Sequence, residues 1–128
     1  MKCRGIRGAT TVEANTKAEI VLATQELLRL LVEANQFELD DLAAAIFTTT
    51  PDLNAEFPAW AARQMGWTEA ALMCGHEMNV PGALQKCIRV LLLVNTDKQM
   101  SEIQHVYIKG AKDLRKLPPD LPVLSAEC

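Results

Sequence analysis

Cys87-Ile88-Arg89-Val90-Leu91-Leu92-Leu93-Val94-Asn95-Thr96 is the stretch whose reading decides the fold. It is dense in Val, Ile and Leu and too short to span a membrane, and it reads as a strand. Period two puts Ile88, Val90, Leu92 and Val94 on one face and Arg89, Leu91 and Leu93 on the other. Both faces are apolar, which predicts an interior strand covered on both sides. Arg89 is the exception. A guanidinium there is costly unless it is paired and hydrogen-bonded. It marks a structural salt bridge, a side chain that snorkels out at the strand end, or a functional cation.

Moving outward, residues 105–109 alternate and predict a short strand, and residues 70–74 predict another. Residues 57–65 predict a helix, with Pro58 in its first turn and Gly66 as its stop. Residues 44–50 read as a strand ended by Pro51. Ile20, Ala23, Leu27, Leu31 and Ala34 recur at helical spacing, so residues 17–34 form a helix. Thr16 and Glu19 have the spacing of a capping box at its start. The opening segment, residues 3–11, is short, Gly-punctuated and strand-like. Strand and helix alternate early and strands dominate later, which predicts an α/β domain: a mixed sheet packed with helices. Residues 1–116 make one domain, and residues 117–128, with three prolines, form an irregular tail of the kind that moves at chain ends.

At 128 residues the chain is long enough to bury a core without staples. It is 49% hydrophobic and 23% charged, which is ordinary globular usage. A net charge of −3 argues against nucleic-acid or membrane-surface binding, both of which need a broad basic field. Any anion site must be a local concentration of arginine. The N-terminus lacks the apolar segment of a secretory signal. Cys3, Cys74, Cys87 and Cys128 form no C-x-x-C pair, so free thiols and a cytoplasmic location are expected.

Arg7 repeats the oddity of Arg89. It shares its strand face with Cys3, Gly5 and Ala9, and these small neighbours leave room for a carboxylate ligand beside the fork of donors. The plain alternative is a surface strand with Arg4 and Arg7 simply solvated. Two such arginines in one domain favour an anion site. Arg63, on a helix face with Trp60, Gln64 and Trp67, and Arg115 near the tail are unremarkable alone.

Met73-Cys74-Gly75-His76-Glu77-Met78 gathers three candidate ligands or catalysts. A metal site on Cys74, His76 and Glu77 lacks a fourth ligand at a familiar spacing. A thiol nucleophile would pair Cys74 with His76 or His105. In a third reading Cys74 and Glu77 are polar contacts to a substrate hydroxyl, with no covalent step.

Together these residues resemble a known family. Arg4-Gly5-Ile6-Arg7-Gly8-Ala9-Thr10-Thr11-Val12-Glu13 is similar to the opening of monofunctional chorismate mutases of the AroH class. Thr50-Pro51-Asp52-Leu53, Phe57-Pro58-Ala59, Cys87-Ile88-Arg89-Val90 and His105-Val106-Tyr107 resemble that family's later blocks in the same order. Some members carry Lys where this chain has Trp60, and Lys116-Leu117-Pro118 lengthens the step from Arg115 to Pro119-Asp120-Leu121.

The resemblance implies a homotrimer with a pseudo-α/β-barrel core and active sites in the clefts between subunits. It implies rearrangement of chorismate to prephenate with no cofactor and no metal. The implied site is Arg7, Phe57, Arg63, Cys74, Glu77, Arg89, Tyr107, Leu114 and Arg115. In that site Arg89 faces the ether oxygen, and Arg7 and Tyr107 grip the enolpyruvyl carboxylate. Glu77 and Cys74 engage the ring hydroxyl, Phe57 and Leu114 wall the cavity, and Arg63 and Arg115 draw in or cover the dianion. A trimeric, non-catalytic module that senses a small carboxylate is the alternative from another class.

Overall fold

A computed structural model describes residues 1–114. Five strands form one mixed sheet: β1 (Lys2–Thr11), β2 (Leu42–Thr49), β3 (Ala71–His76), β4 (Cys87–Thr96) and β5 (Val106–Tyr107), in the order β3-β2-β4-β1-β5. The apolar run is the central strand. β4 pairs antiparallel with β1 on one side and with β2 on the other, while β2–β3 and β1–β5 are parallel. Two helices, α1 (Lys17–Asn35) and α2 (Pro58–Gln64), follow β1 and β2. α2 lies in the crossover that the parallel neighbours β2 and β3 require. No helix among the described residues is long and apolar enough to cross a membrane.

Both helices cover the same face of the sheet. Leu27, Leu28 and Leu31 of α1 and Ala59 and Ala62 of α2 pack with Ile6, Ala45, Phe47, Val90, Leu92 and Val94 in one buried cluster. Gly8 sits beneath α1 at close approach. A Cβ there would lie 2.9 Å from Leu31 Cδ1 and 3.1 Å from Leu27 Cδ1, so a larger residue would make both leucines shift. Thr16 caps α1 by accepting from Glu19 N–H at 3.2 Å. The Glu19 carboxylate reaches past the cap to Glu13 N–H and Ala14 N–H, at 3.0 and 3.2 Å. The helix ends at Gln36, whose left-handed backbone bonds back to Val32 C=O.

The opposite face differs from the expectation of two-sided cover. Arg7, Ala44, Ile46, Leu91 and Leu93 are only partly buried there, and Gly5, Met73 and Gly75 are exposed. No helix among the described residues lies on it. The segment that follows β5 folds over its far end, where Ala111 packs with Ala9 and Cys87, and Leu114 and Tyr107 lie against them.

Element limits shift for local reasons. β2 begins at Leu42, with a register shift between Leu42 and Ala44 that leaves Ala43 as an exposed extra residue. β3 runs on to His76 because β2 supplies a full parallel ladder through Thr49↔His76. Phe57 caps α2 from outside, and Gly66, at φ +93, follows its end. β5 keeps only two residues of the expected five. Asn35, not Ala34, is the buried residue in the last turn of α1. The irregular tail expected at residues 117–128, Arg115 and Cys128 all lie outside the described residues.

Candidate active site

Strand register builds one row across the open face. Gly75 of β3, Thr48 of β2, Arg89 of β4, Ala9 of β1 and Tyr107 of β5 are consecutive cross-strand neighbours. In the next row of the same face, Ile46, Leu91 and Arg7 are neighbours. The small side chain of Ala9 lies between Arg89 and Tyr107 and leaves space above it. A cavity of about 250 Å³ opens there, lined by Arg7, Ile46, Thr48, Glu77, Arg89, Leu91 and Tyr107.

The two arginines of the opening strand part company. Arg4 points to the other face and donates to Lys98 C=O at 3.0 Å. Arg7 lines the cavity, and among the described residues its guanidinium has no hydrogen-bond or ion-pair partner. Arg89 approaches Glu77 at 3.6 Å from Nε to Oε2, too long for a strong hydrogen bond. Its side chain stays 41% exposed. A structural salt bridge thus accounts for only part of Arg89, and most of its donors remain available. Glu77 is held from elsewhere. Its N–H donates to Thr49 C=O at 2.8 Å, continuing the β2–β3 ladder, and its Oε2 accepts from Thr48 Oγ1 at 2.5 Å. The carboxylate therefore stands beside the arginines without being consumed by them. Leu114 borders the same end of the sheet.

Cys74, Phe57 and Arg63 are brought together elsewhere. They line a cleft of about 300 Å³ between α2 and β3, with Trp60, Leu72 and Met73. Phe57 is 70% exposed at its mouth. Cys74 and Glu77 are three residues apart on extended chain, so they project to opposite faces of the sheet. One copy of the chain therefore does not present Cys74 and Glu77 to the same small molecule. Arg115 lies outside the described residues.

The three readings of this segment also separate. Among the described residues no three His, Cys, Asp or Glu side chains converge to hold a metal. Burial pushes the Cys74 thiol up from its ordinary value, against weaker opposite pulls from Ala59 N–H and the Arg63 charge. Neither histidine activates it. His76 Nδ1 lies 3.1 Å from Thr49 Oγ1, and His105 Nδ1 accepts from Arg7 N–H. A protonated thiol suits a polar contact and not a nucleophile. Cys87 is buried, its thiol pushed up to about 11 by desolvation, and Cys3 is exposed.

Thr48 was missed in the sequence. It lies in a predicted strand, but only the β2–β4 register makes it the neighbour of Arg89, and register between distant strands is not written in either one. Asn35 is missed as well, and His105 is read only as a partner for Cys74; both act on the backbone, where composition leaves no signal.

Fold and cavity together define a class: a small mixed α/β protein with a cationic pocket for an anion on an uncovered sheet face. The sequence comparisons are specific. The model of the family described as chorismate mutase type I matches residues 3–120. The chorismate mutase AroH of Bacillus subtilis (strain 168) is 45% identical over 122 residues, covering 94% of each chain. The chorismate mutase AroH of Thermus thermophilus is 50% identical over 119 residues, covering 92% of this chain and 95% of its own. A solved chorismate mutase from Clostridium thermocellum superposes with a TM-score of 0.84 at 59% identity, covering 85% of this chain and 97% of its own. The chain belongs to the chorismate mutase type I family. Its activity is that of a chorismate mutase, an isomerase of aromatic biosynthesis.

Proposed function

We propose that the chain turns chorismate into prephenate by gripping its two carboxylates and stabilising the charge that separates as it rearranges. The observation that carries this mechanism is the pair of arginines, Arg7 and Arg89, lining one cavity with an independently held carboxylate, Glu77, beside them. In the [3,3] rearrangement one C–O bond breaks while one C–C bond forms within the same molecule, so no proton, nucleophile or co-reactant is needed. Two effects remain for the protein. It holds the reacting ends close in a chair-like conformer, and it aims fixed charge at the ether oxygen, where negative charge grows.

Arg89, on the central strand, supplies that charge. Arg7 and Tyr107 take the enolpyruvyl carboxylate. Glu77 faces the ring, holding its hydroxyl and countering its positive charge, as an electrostatic group and not a general base. Leu114 walls the cavity beside Tyr107, and Arg115, near the end of the domain of residues 1–116, covers the dianion.

The complete site uses two copies in a homotrimer with a pseudo-α/β-barrel core. One copy contributes Arg7, Glu77, Arg89 and Tyr107, and its neighbour contributes Phe57, Arg63 and Cys74. The uncovered sheet face and the separate cleft between α2 and β3 support this division. Cover from the neighbour would dry the cavity and raise the worth of each charge. The enzyme works in the cytoplasm with chorismate and prephenate as its only small-molecule partners and with no metal, cofactor, nucleic acid or membrane. Cys3, Cys74 and Cys87, all free, support a reducing compartment.

The test is the disappearance of chorismate with purified protein, before and after chelator treatment. Equal acceleration in both supports the mechanism. No acceleration over buffer rejects it, and a loss on chelation rejects the metal-free form. Sizing in solution tests the trimer.

A further inference from the structure

We propose that His105 is a positioning residue that sets Arg7 through its main chain, and that Asn35 anchors His105 in turn. This rests on the reading of Arg7 as a carboxylate clamp. β5 is only two residues long and pairs with β1 at Gly8↔Val106 and Ala9↔Tyr107. Downstream the ladder continues in backbone, with Ile108 N–H donating to Ala9 C=O at 3.1 Å. Upstream it does not. The Arg7 N–H donates to a side chain, His105 Nδ1, at 3.0 Å. An accepting Nδ1 carries no proton, so the neutral ring is protonated at Nε2. The imidazole thus fixes the peptide plane from which the Arg7 side chain projects.

The segment that delivers His105 is held by a second side chain acting as backbone. Asn35, the last residue of α1, is 3% exposed. Its Oδ1 accepts from Gln104 N–H at 2.8 Å, and its Nδ2 donates to Gln104 C=O and to Leu31 C=O, each at 2.9 Å. Asn35 therefore takes both main-chain groups of the residue before His105, as a residue of an adjacent strand would. From the end of α1 to Arg7 the chain of contacts is Asn35, Gln104, His105 and the Arg7 amide. Carboxylate recognition by a guanidinium fork depends on position to a fraction of an ångström.

The experiment compares chorismate turnover by His105→Leu, His105→Asn, Arg7→Ala and the double variant Arg7→Ala/His105→Leu, with thermal melting of each. His105→Leu removes the acceptor, and KM rises roughly tenfold, the usual reach of one lost positioning bond. His105→Asn, whose Oδ1 occupies the place of Nδ1, recovers most of that loss. In the Arg7→Ala background the Leu substitution adds little, because the residue through which it acts is gone. A merely structural role would lower the melting temperature and apparent kcat while leaving KM alone, and that result overturns the proposal. So does a full, additive KM effect in the double variant. If Arg7→Ala raises KM and His105→Leu does not, the positioning role fails and the clamp stands. If Arg7→Ala leaves KM unchanged, the clamp fails and the proposal with it. Should His105→Leu not fold, His105→Gln, whose acceptor lies one bond further out, carries the same expectation.

Discussion

The two faces of the sheet are made by the same strands and do opposite work. On the helix-covered face, Ile6, Phe47, Ile88 and Leu92 are each no more than 1% exposed. On the other, Arg7, Thr48 and Arg89 sit between partly buried Ile46 and Leu91. Alternate residues of β1, β2 and β4 pack under the helices, while Arg7, Ile46, Thr48, Arg89 and Leu91 of the other face line the cavity, so one face can change while the other is kept. The open face is not a poorly made core. Its apolar residues floor a cavity, and its charges are only partly paired: Arg89 meets Glu77 at 3.6 Å, and the Arg7 guanidinium has no partner among the described residues.

Substitutions on the two faces should fail differently. The largest effect is expected at Phe47, where Phe47→Ala empties the centre of the covered face and costs about 3–5 kcal/mol of stability. The urea midpoint reads this loss, and KM for chorismate stays unchanged in whatever protein remains folded. Arg89→Ala should do the reverse. It lowers kcat by about 10²–10³-fold, the scale for one preorganised donor, and shifts stability by no more than about 0.5 kcal/mol. If Arg89→Ala instead unfolds the protein, the open face carries the fold and the division is lost.

Cys74→Ser tests a smaller step. Cys74 offers a protonated thiol to a polar contact, so the variant should fall by less than about tenfold in kcat/KM. Complete inactivity of a folded Ser variant would restore the nucleophile. The smallest effect sharpens the border between the faces, at Cys87, which starts β4 on the Arg89 side yet is buried. Its folded thiol holds its proton to about 11, against an ordinary value of 9.0. The unfolded thiol ionises first, so the contribution of Cys87 is complete below 9.0 and is lost as pH rises through about 11. Urea midpoints measured across that range should fall less steeply for Cys87→Ala than for the parent chain.

The covered face was legible in the sequence because its information is local. The ten residues of β4 start and stop where their apolar run does, and α1 follows its heptad-like spacing to within a residue. The arginines were legible for the same reason, as charges in apolar company. What stayed hidden depends on partners remote in sequence. Two-sided cover of β4 was expected from its own residues, but cover is a property of what else the chain provides, and both helices went to one side. The opposite orientations of Cys74 and Glu77 follow from β3 continuing past Cys74, which the exposed, Gly-containing edge sequence does not advertise. Asn35 reads as a helix-ending polar residue until Gln104, far along the chain, is placed against it.

The central position of β4 also sets the order in which the molecule opens. Its amides and carbonyls are engaged by antiparallel strands on both sides, whereas β3 and β5 are rims with one partner each. Local excursions release the rims at far lower free energy than the centre, so amides of β5 should exchange with solvent long before those of β4. Tyr107 on β5 and Glu77 just past β3 ride on the parts that breathe, while Arg89 is fixed to the part that does not. In the proposed mechanism, ligand comes and goes through the rims while the charge aimed at the breaking bond stays set.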